Sequence, residues 1–229
     1  MTSPAVARSA PFAAYMLFIA LEQGLRSLME SGRLPVDGGA LLYLYPVKIA
    51  VVGLLLIFCL RRCDELNAGD LWNLPRSAVS IITGVAVFIL WINMDWTFGS
   101  GGGAPQGYDP CLAGNGTARA ALIAVRLFGA AVIVPIMEEL FWRSFLLRYV
   151  IDSDFTRVAV GTFTWGSFAA VAVLFGLEHH YIAAGIMAGV AYNLLAVYTG
   201  SIAHCALSHG VTNLLLGGYV LATGQWRFW

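Results

Sequence analysis

Residues 40–60 read ALLYLYPVKIAVVGLLLIFCL, with Lys48 as the single charge, and run straight into Arg61-Arg62-Cys63-Asp64-Glu65. A helix needs roughly 20 apolar residues to cross a hydrocarbon core, and this run supplies them before a charged stop. Similar stretches recur on both sides, at about 12–29, 78–96, 119–137, 158–178, 181–199 and 201–222. They are continuous rather than alternating, which disfavours a β-barrel. The first holds Glu22 and Arg26, whose spacing of four puts them on one helix face as a pair. It is too long for a removable signal peptide and has no clean small-residue cleavage site. The expected fold is all-α: a polytopic membrane helical bundle of about seven transmembrane segments, or eight if one is re-entrant, in a single membrane domain over 1–229.

Composition agrees. The 229 residues are 59% hydrophobic and 11% charged, with a mean hydropathy of +0.76. A soluble domain carries about 25% charged residues. The deficit excludes a disordered chain, a basic nucleic-acid binder and an ordinary water-soluble enzyme. Thirteen basic residues balance thirteen acidic ones, so net charge selects no partner beyond the lipid bilayer, and no nucleic acid is expected.

The few charges suggest an orientation. Arg8 precedes the first expected span, Arg61, Arg62 and Arg76 lie between the second and third, and Arg143, Arg148 and Arg157 follow the fourth. Alternating spans put all of these on one side, which the positive-inside rule makes cytoplasmic, with the N-terminus. The Gly- and Pro-rich loop between Phe98 and Thr117 has no Lys or Arg and is expected outside. Cys59, Cys63, Cys111 and Cys205 show no disulfide framework and read as four unpaired thiols.

Ionisable residues at membrane depth mark function by default, and they collect in the second half of the chain. Glu138-Glu139-Leu140-Phe141-Trp142-Arg143 comes first, then Phe175-Gly176-Leu177-Glu178-His179-His180, then His204 to Asn213. Glu139 and Arg143 are four apart and can pair. Glu138 is rotated about 100° from Glu139 and is free to face a polar cavity. His209 and Asn213 share a face, so an imidazole and an amide can donate to one oxygen. His180 and His204 read as wet interfacial residues. If three helices converge, Glu138 is the general base on a water that His179 orients, and His209 with Asn213 stabilises an oxyanion. That chemistry is peptide-bond hydrolysis without a covalent intermediate.

The ordered set resembles the CAAX protease and bacteriocin-processing family of intramembrane proteases, which includes the type II CAAX prenyl endopeptidases. Glu138 to Arg143 matches EExxxR, Phe175 to His179 matches FxxxH, and His209 to Asn213 matches HxxxN. The likeness covers the motif-bearing core at about 119–222. It implies a membrane-embedded endopeptidase with Glu138, His179, His209 and Asn213 at the reacting centre and Glu139 and Arg143 in support. The stretches at 191–195, 213–216 and 222–226 also resemble a bacterial branch associated with exosortase protein-sorting systems. The implied setting is a bacterial inner membrane, and the implied partner is a membrane-associated protein or peptide substrate. No prenyl pocket is legible. No cofactor is expected, although Glu138, His179 and His209 number the three ligands of a catalytic zinc site, so zinc stays open as an alternative.

Two other classes compete: a non-catalytic membrane protein of the same fold, such as a bacteriocin-immunity or sorting-system scaffold, and a proton-coupled transporter. The expected spans also carry a conflict. Glu138 falls at the inner end of the fourth and His179 near the outer end of the fifth, some 30 Å apart at 1.5 Å per residue. Shared chemistry requires the fourth helix to continue to about residue 150, or the fifth to shift.

Overall fold

The computed structural model describes residues 3–36, 38–96, 107–114 and 116–229. Half of the Gly-rich loop expected outside, residues 99–106 and 115, lies beyond the described residues. Among the described residues seven helices form: α1 Pro4–Glu30, α2 Leu44–Leu60 (entered through a 3-10 turn, Gly38–Tyr43), α3 Leu74–Asn93, α4 Thr117–Tyr149, α5 Trp165–Leu177, α6 Ile182–Thr199 and α7 Ile202–Thr223. No strand occurs among the described residues. Local chemistry sets the starts: the Ser3, Asn73, Thr164 and Ser201 side chains each accept a first-turn backbone N–H, using donors that a helix leaves unpaired.

Six of the helices are long and apolar enough to cross a membrane; α5 is a shorter apolar helix of 13 residues. This corrects the fifth expected span. Residues 158–164 are not helical, and α5 begins only where Thr164 caps it. At 1.5 Å per residue it reaches about 20 Å, short of the ~30 Å core. The fourth span also changes, since α4 runs 33 residues to Tyr149. Glu138 therefore lies well inside a long helix, and His179 follows a short one, which removes the 30 Å conflict.

The solvent relationship is inverted relative to a water-soluble protein. Leu17, Phe58 and Ile82 are 70%, 66% and 66% exposed, whereas Arg8, Lys48 and Arg143 are 5%, 4% and 1% exposed. Apolar side chains on the outside need an apolar medium, while Arg8 and Arg143 find carboxylate partners inside. The chain is an integral membrane protein.

One of these internal clusters ties the non-helical ends together. Arg8 of α1 donates from Nε and Nη2 to the two Glu65 carboxylate oxygens at 2.6 and 2.7 Å. The Ser144 hydroxyl also donates to Glu65, and Arg148 Nη2 reaches it at 3.4 Å. Arg148 Nη1 then holds the Val158 carbonyl at 3.0 Å. The start of α1, the α2–α3 loop and the end of α4 thus share one side, as alternating spans require. Arg8 sits inside α1, not before it.

Burial alone would raise the Glu65 carboxyl, but the hydrogen bonds from Arg8 and Ser144 outweigh it and hold the group below the usual carboxylate range. Its contribution to stability is complete above the unfolded-state pKa and is lost as pH falls through the lower folded value. Glu65→Gln leaves Arg8 and Arg148 buried without a counter-ion, a change that typically costs about 3–5 kcal/mol. Thermal unfolding in detergent should show a lowered Tm for Glu65→Gln at neutral pH, and a gap from wild type that narrows on acidification. An unchanged Tm at neutral pH would show the cluster to be idle.

Candidate active site

The site begins with a backbone irregularity in α4. Gly129–Ile133 is a π-helical turn in which the Val134 N–H bonds to the Gly129 carbonyl. In that register the next acceptor, Ala130, would take the N–H of residue 135, but Pro135 has none. Asn213 Nδ2 of α7 fills the gap, donating to the Ala130 carbonyl at 2.9 Å. The helices meet closely here because residue 210 is glycine: a Cβ would lie 2.6 Å from the Ala131 carbonyl oxygen. A second π segment, Leu140–Leu146, follows. The α-helical turn between them, Val134–Glu139, carries both glutamates, and π segments of this kind often sit at functional sites.

Glu139 and Arg143 pair as their spacing predicts. Arg143 Nη1 donates to Glu139 Oε1 at 2.9 Å, and both side chains are fully buried. Arg143 Nε donates to Asn193 Oδ1 at 3.1 Å, and Nη2 reaches the Gly189 carbonyl at 3.4 Å. The guanidinium lies 4.5 Å from the Phe175 ring centroid. His209 Nδ1 donates to the same Glu139 oxygen at 3.0 Å. A carboxylate only accepts, so this bond places the Nδ1 proton and leaves Nε2 for other work. Tyr192 stacks on the His209 ring at 5.0 Å, and its hydroxyl donates to Thr212 Oγ1 at 2.8 Å.

Glu138 points the other way. Its Oε2 is buried with no hydrogen-bond partner among the described residues and lies 4.0 Å from His209 Nε2. His179 Nδ1 donates to the Phe175 carbonyl at 2.7 Å, which again leaves Nε2 as the working nitrogen. Its helix-end position depends on close packing of α5 against α6: a Cβ on Gly185 would lie 2.8 Å from Gly176 Cα and 3.2 Å from His179 Cβ. Glu138, His179, His209 and Asn213 all line one cavity of about 200 Å³. Glu139 and Arg143 sit behind it.

Several side chains of the site carry no expectation from the sequence motifs. Tyr192 and Asn193 brace His209 and Arg143 as described. Glu178 accepts from Trp142 Nε1 at 3.1 Å. Adjacent Tyr and Asn in the middle of an apolar helix are the signal that could have found the first two. Among the remaining histidines, His180 is exposed, as an interfacial residue should be. His204 is instead buried, with Nε2 3.3 Å from the Ser77 hydroxyl and away from the cavity. The four cysteines are free. Among the described residues no three His, Cys, Asp or Glu side chains are grouped to hold a metal ion.

The fold and site together define a polytopic helical membrane protein with an internal carboxylate–imidazole centre. Residues 120–215 match the family model described as type II CAAX prenyl endopeptidase Rce1-like. The motif-bearing segment is thus similar to a family of proteases, consistent with the CAAX protease and bacteriocin-processing family that the three motifs resemble. No curated protein and no solved structure matches the chain.

The Pro135–Ala130–Asn213 arrangement generates a double-mutant test. Asn213→Ala leaves the Ala130 carbonyl without its partner, at a cost of about 1–3 kcal/mol. Adding Pro135→Ala restores a backbone N–H for that carbonyl. The double variant should therefore unfold in detergent at a higher temperature than Asn213→Ala alone. A second substitution that only lowers the Tm further would refute the pairing.

Proposed function

We propose that the chain is an intramembrane endopeptidase that hydrolyses a peptide bond of a membrane-associated protein or peptide, without a metal. The observation that carries this reading is the partnerless Glu138 Oε2, buried in the cavity and 4.0 Å from His209 Nε2. That gap is too long for a direct hydrogen bond, so the carboxylate oxygen is left to accept from a water in the cavity.

In its carboxylate form Glu138 accepts a proton from the water as the water oxygen attacks the scissile carbonyl carbon, with His179 Nε2 accepting the other water hydrogen to aim it. The carbonyl π pair moves onto oxygen. Asn213 Nδ2 has a second hydrogen beyond the one given to Ala130, and in the imidazolium form His209 donates from Nε2. Both face the developing oxyanion. Glu138 then passes its proton to the leaving nitrogen, the C–N bond breaks, and the oxyanion collapses to a carboxylic acid. Base and water account for every proton, so no further reactant is needed. Glu139 and Arg143 act indirectly by holding His209 in position.

In this reading residues 1–229 form one membrane domain around a catalytic core at about 119–222, in a bacterial inner membrane with a cytoplasmic N-terminus. The basic side defined by Arg8, Arg61, Arg62, Arg148 and Arg157 supports that orientation. Partnership with an exosortase-type sorting system is part of the same proposal, and a prenyl group on the substrate is not required by it.

The test replaces Glu138 by Gln and His209 by Ala, with protein level and Tm measured beside processing. Glu138→Gln should abolish processing while the protein accumulates normally, and His209→Ala should lose about 10²–10³ in kcat as a missing oxyanion donor does. Processing at the wild-type rate in both variants would favour the non-catalytic scaffold instead. Purified protein should keep its activity in 1,10-phenanthroline; inactivation reversed only by Zn²⁺ would overturn the metal-free step.

A further inference from the structure

His179 has a position to keep, and its own helix does not set it. The residue follows the last turn of α5, outside the helix. Its backbone N–H donates to the Gly176 carbonyl at 3.0 Å, and its Nδ1 donates to the Phe175 carbonyl at 2.7 Å. Both bonds return to α5, so they orient the ring within that helix without fixing it relative to α4, which carries Glu138. The base and the imidazole share a water only if the end of α5 is held to α4 at a set distance.

Side chains on the two helices supply the hold. Residues 165–177 of α5 carry no charge, and Glu178 follows them directly. A carboxylate at the end of so apolar a helix is costly without a partner. Trp142, one turn beyond Glu138 on α4, is 5% exposed, and a buried indole N–H needs an acceptor. Each answers the other: Trp142 Nε1 donates to Glu178 Oε2 at 3.1 Å, a charge-assisted bond and therefore one of the stronger kind. The indole is itself wedged. Its ring lies T-shaped against Phe175 at 5.8 Å and against Phe12 of α1 at 5.6 Å. Phe175 in turn lies 4.7 Å from the His179 ring. Trp142 thus touches both the residue before His179 and the residue whose carbonyl holds its Nδ1–H.

We infer that Glu178 is a positioning residue: with Trp142 it clamps the end of α5 to α4 and so fixes His179 Nε2 relative to Glu138. The inference rests on the endopeptidase reading of the site and deepens it. Neither Glu178 nor Trp142 is among the described residues that line the reaction cavity, so the pair acts through the chain next to His179 and not on the reacting atoms. The clamp also gives two residues between the motif positions a task. Trp142 lies inside the Glu138–Arg143 segment and Glu178 inside the Phe175–His179 segment.

The test removes the bond from either end, with Tm measured beside processing. Glu178→Ala takes away the acceptor, and Trp142→Phe takes away the donor while keeping a ring against Phe175. Each should lower kcat by about 10²-fold, the scale of a misplacement of roughly 1 Å, with KM little changed because the cavity wall is intact. The double variant should be no slower than the slower single one, since the same bond is lost in each. Glu178→Gln keeps an oxygen for the indole and should restore most of the loss. A wild-type kcat in Glu178→Ala overturns the clamp, as does a loss confined to KM or an additive loss in the double variant. If Glu178→Gln is as slow as Glu178→Ala, the carboxylate acts by its charge or its proton, and the positioning assignment falls. A second readout needs no turnover. In detergent-solubilised protein with isotopically labelled histidine, NMR follows the His179 Nδ1–H, assigned by its absence in His179→Phe. That proton should exchange with solvent faster in Glu178→Ala and in Trp142→Phe than in wild type. Unchanged exchange in both overturns the clamp whether or not the protein cleaves peptides. Faster exchange in a protein that processes nothing keeps the clamp and removes the endopeptidase reading.

Discussion

The Glu139–Arg143 ion pair is the interaction around which the site is built. Both side chains are wholly buried, so neither charge has water as an alternative partner, and each must be satisfied by the protein. The pair meets that demand by recruiting three other helices. Asn193 and the Gly189 carbonyl come from α6, the Phe175 face from α5, and the His209 Nδ1–H from α7. Removing either charge would strand the other and also free the His209 ring. The orientation of that imidazole is thus tied to the packing of the whole motif-bearing half.

This coupling explains why the site was more legible in the sequence than the spans were. Spacings within one helix, such as Glu139 to Arg143 and Glu22 to Arg26, translate directly into contacts because i and i+4 always face together, and both pairs form. Convergence of Glu138, His179, His209 and Asn213 was legible only through the resemblance of the three motifs, since no periodicity links residues on separate helices. The span ends were misread where hydropathy and helix geometry part company. Residues 158–164 are apolar enough to extend a span but are not helical, and Phe141 to Tyr149 are too polar for a span yet remain helical because Arg143 and Arg148 find internal partners. Lys48 and Arg126, which line one cavity, gave no sign of doing so, because their meeting depends on how α2 and α4 are brought together.

Pro135 shows how a local irregularity is put to use across helices. A proline inside a helix ordinarily leaves an unmet carbonyl and bends the chain. Here the π turn before it places that carbonyl opposite Asn213, and the absence of a side chain at Gly210 lets α7 approach close enough to use it. One amide hydrogen of Asn213 is thereby committed to structure, which fixes the direction of the other. A donor held in this way loses little freedom when it meets a developing charge, which is the condition for effective oxyanion stabilisation.

The interior is divided by charge as well as by helices. Around Glu138 the cavity holds a carboxylate and imidazoles, whereas the adjoining space holds an excess of cations, and Arg126 stands on the wall between them. That wall is built by α1, α2 and α4 together, through Tyr15, Tyr45 and Arg126, so the helices that carry no motif also shape the cavity in which Glu138 lies.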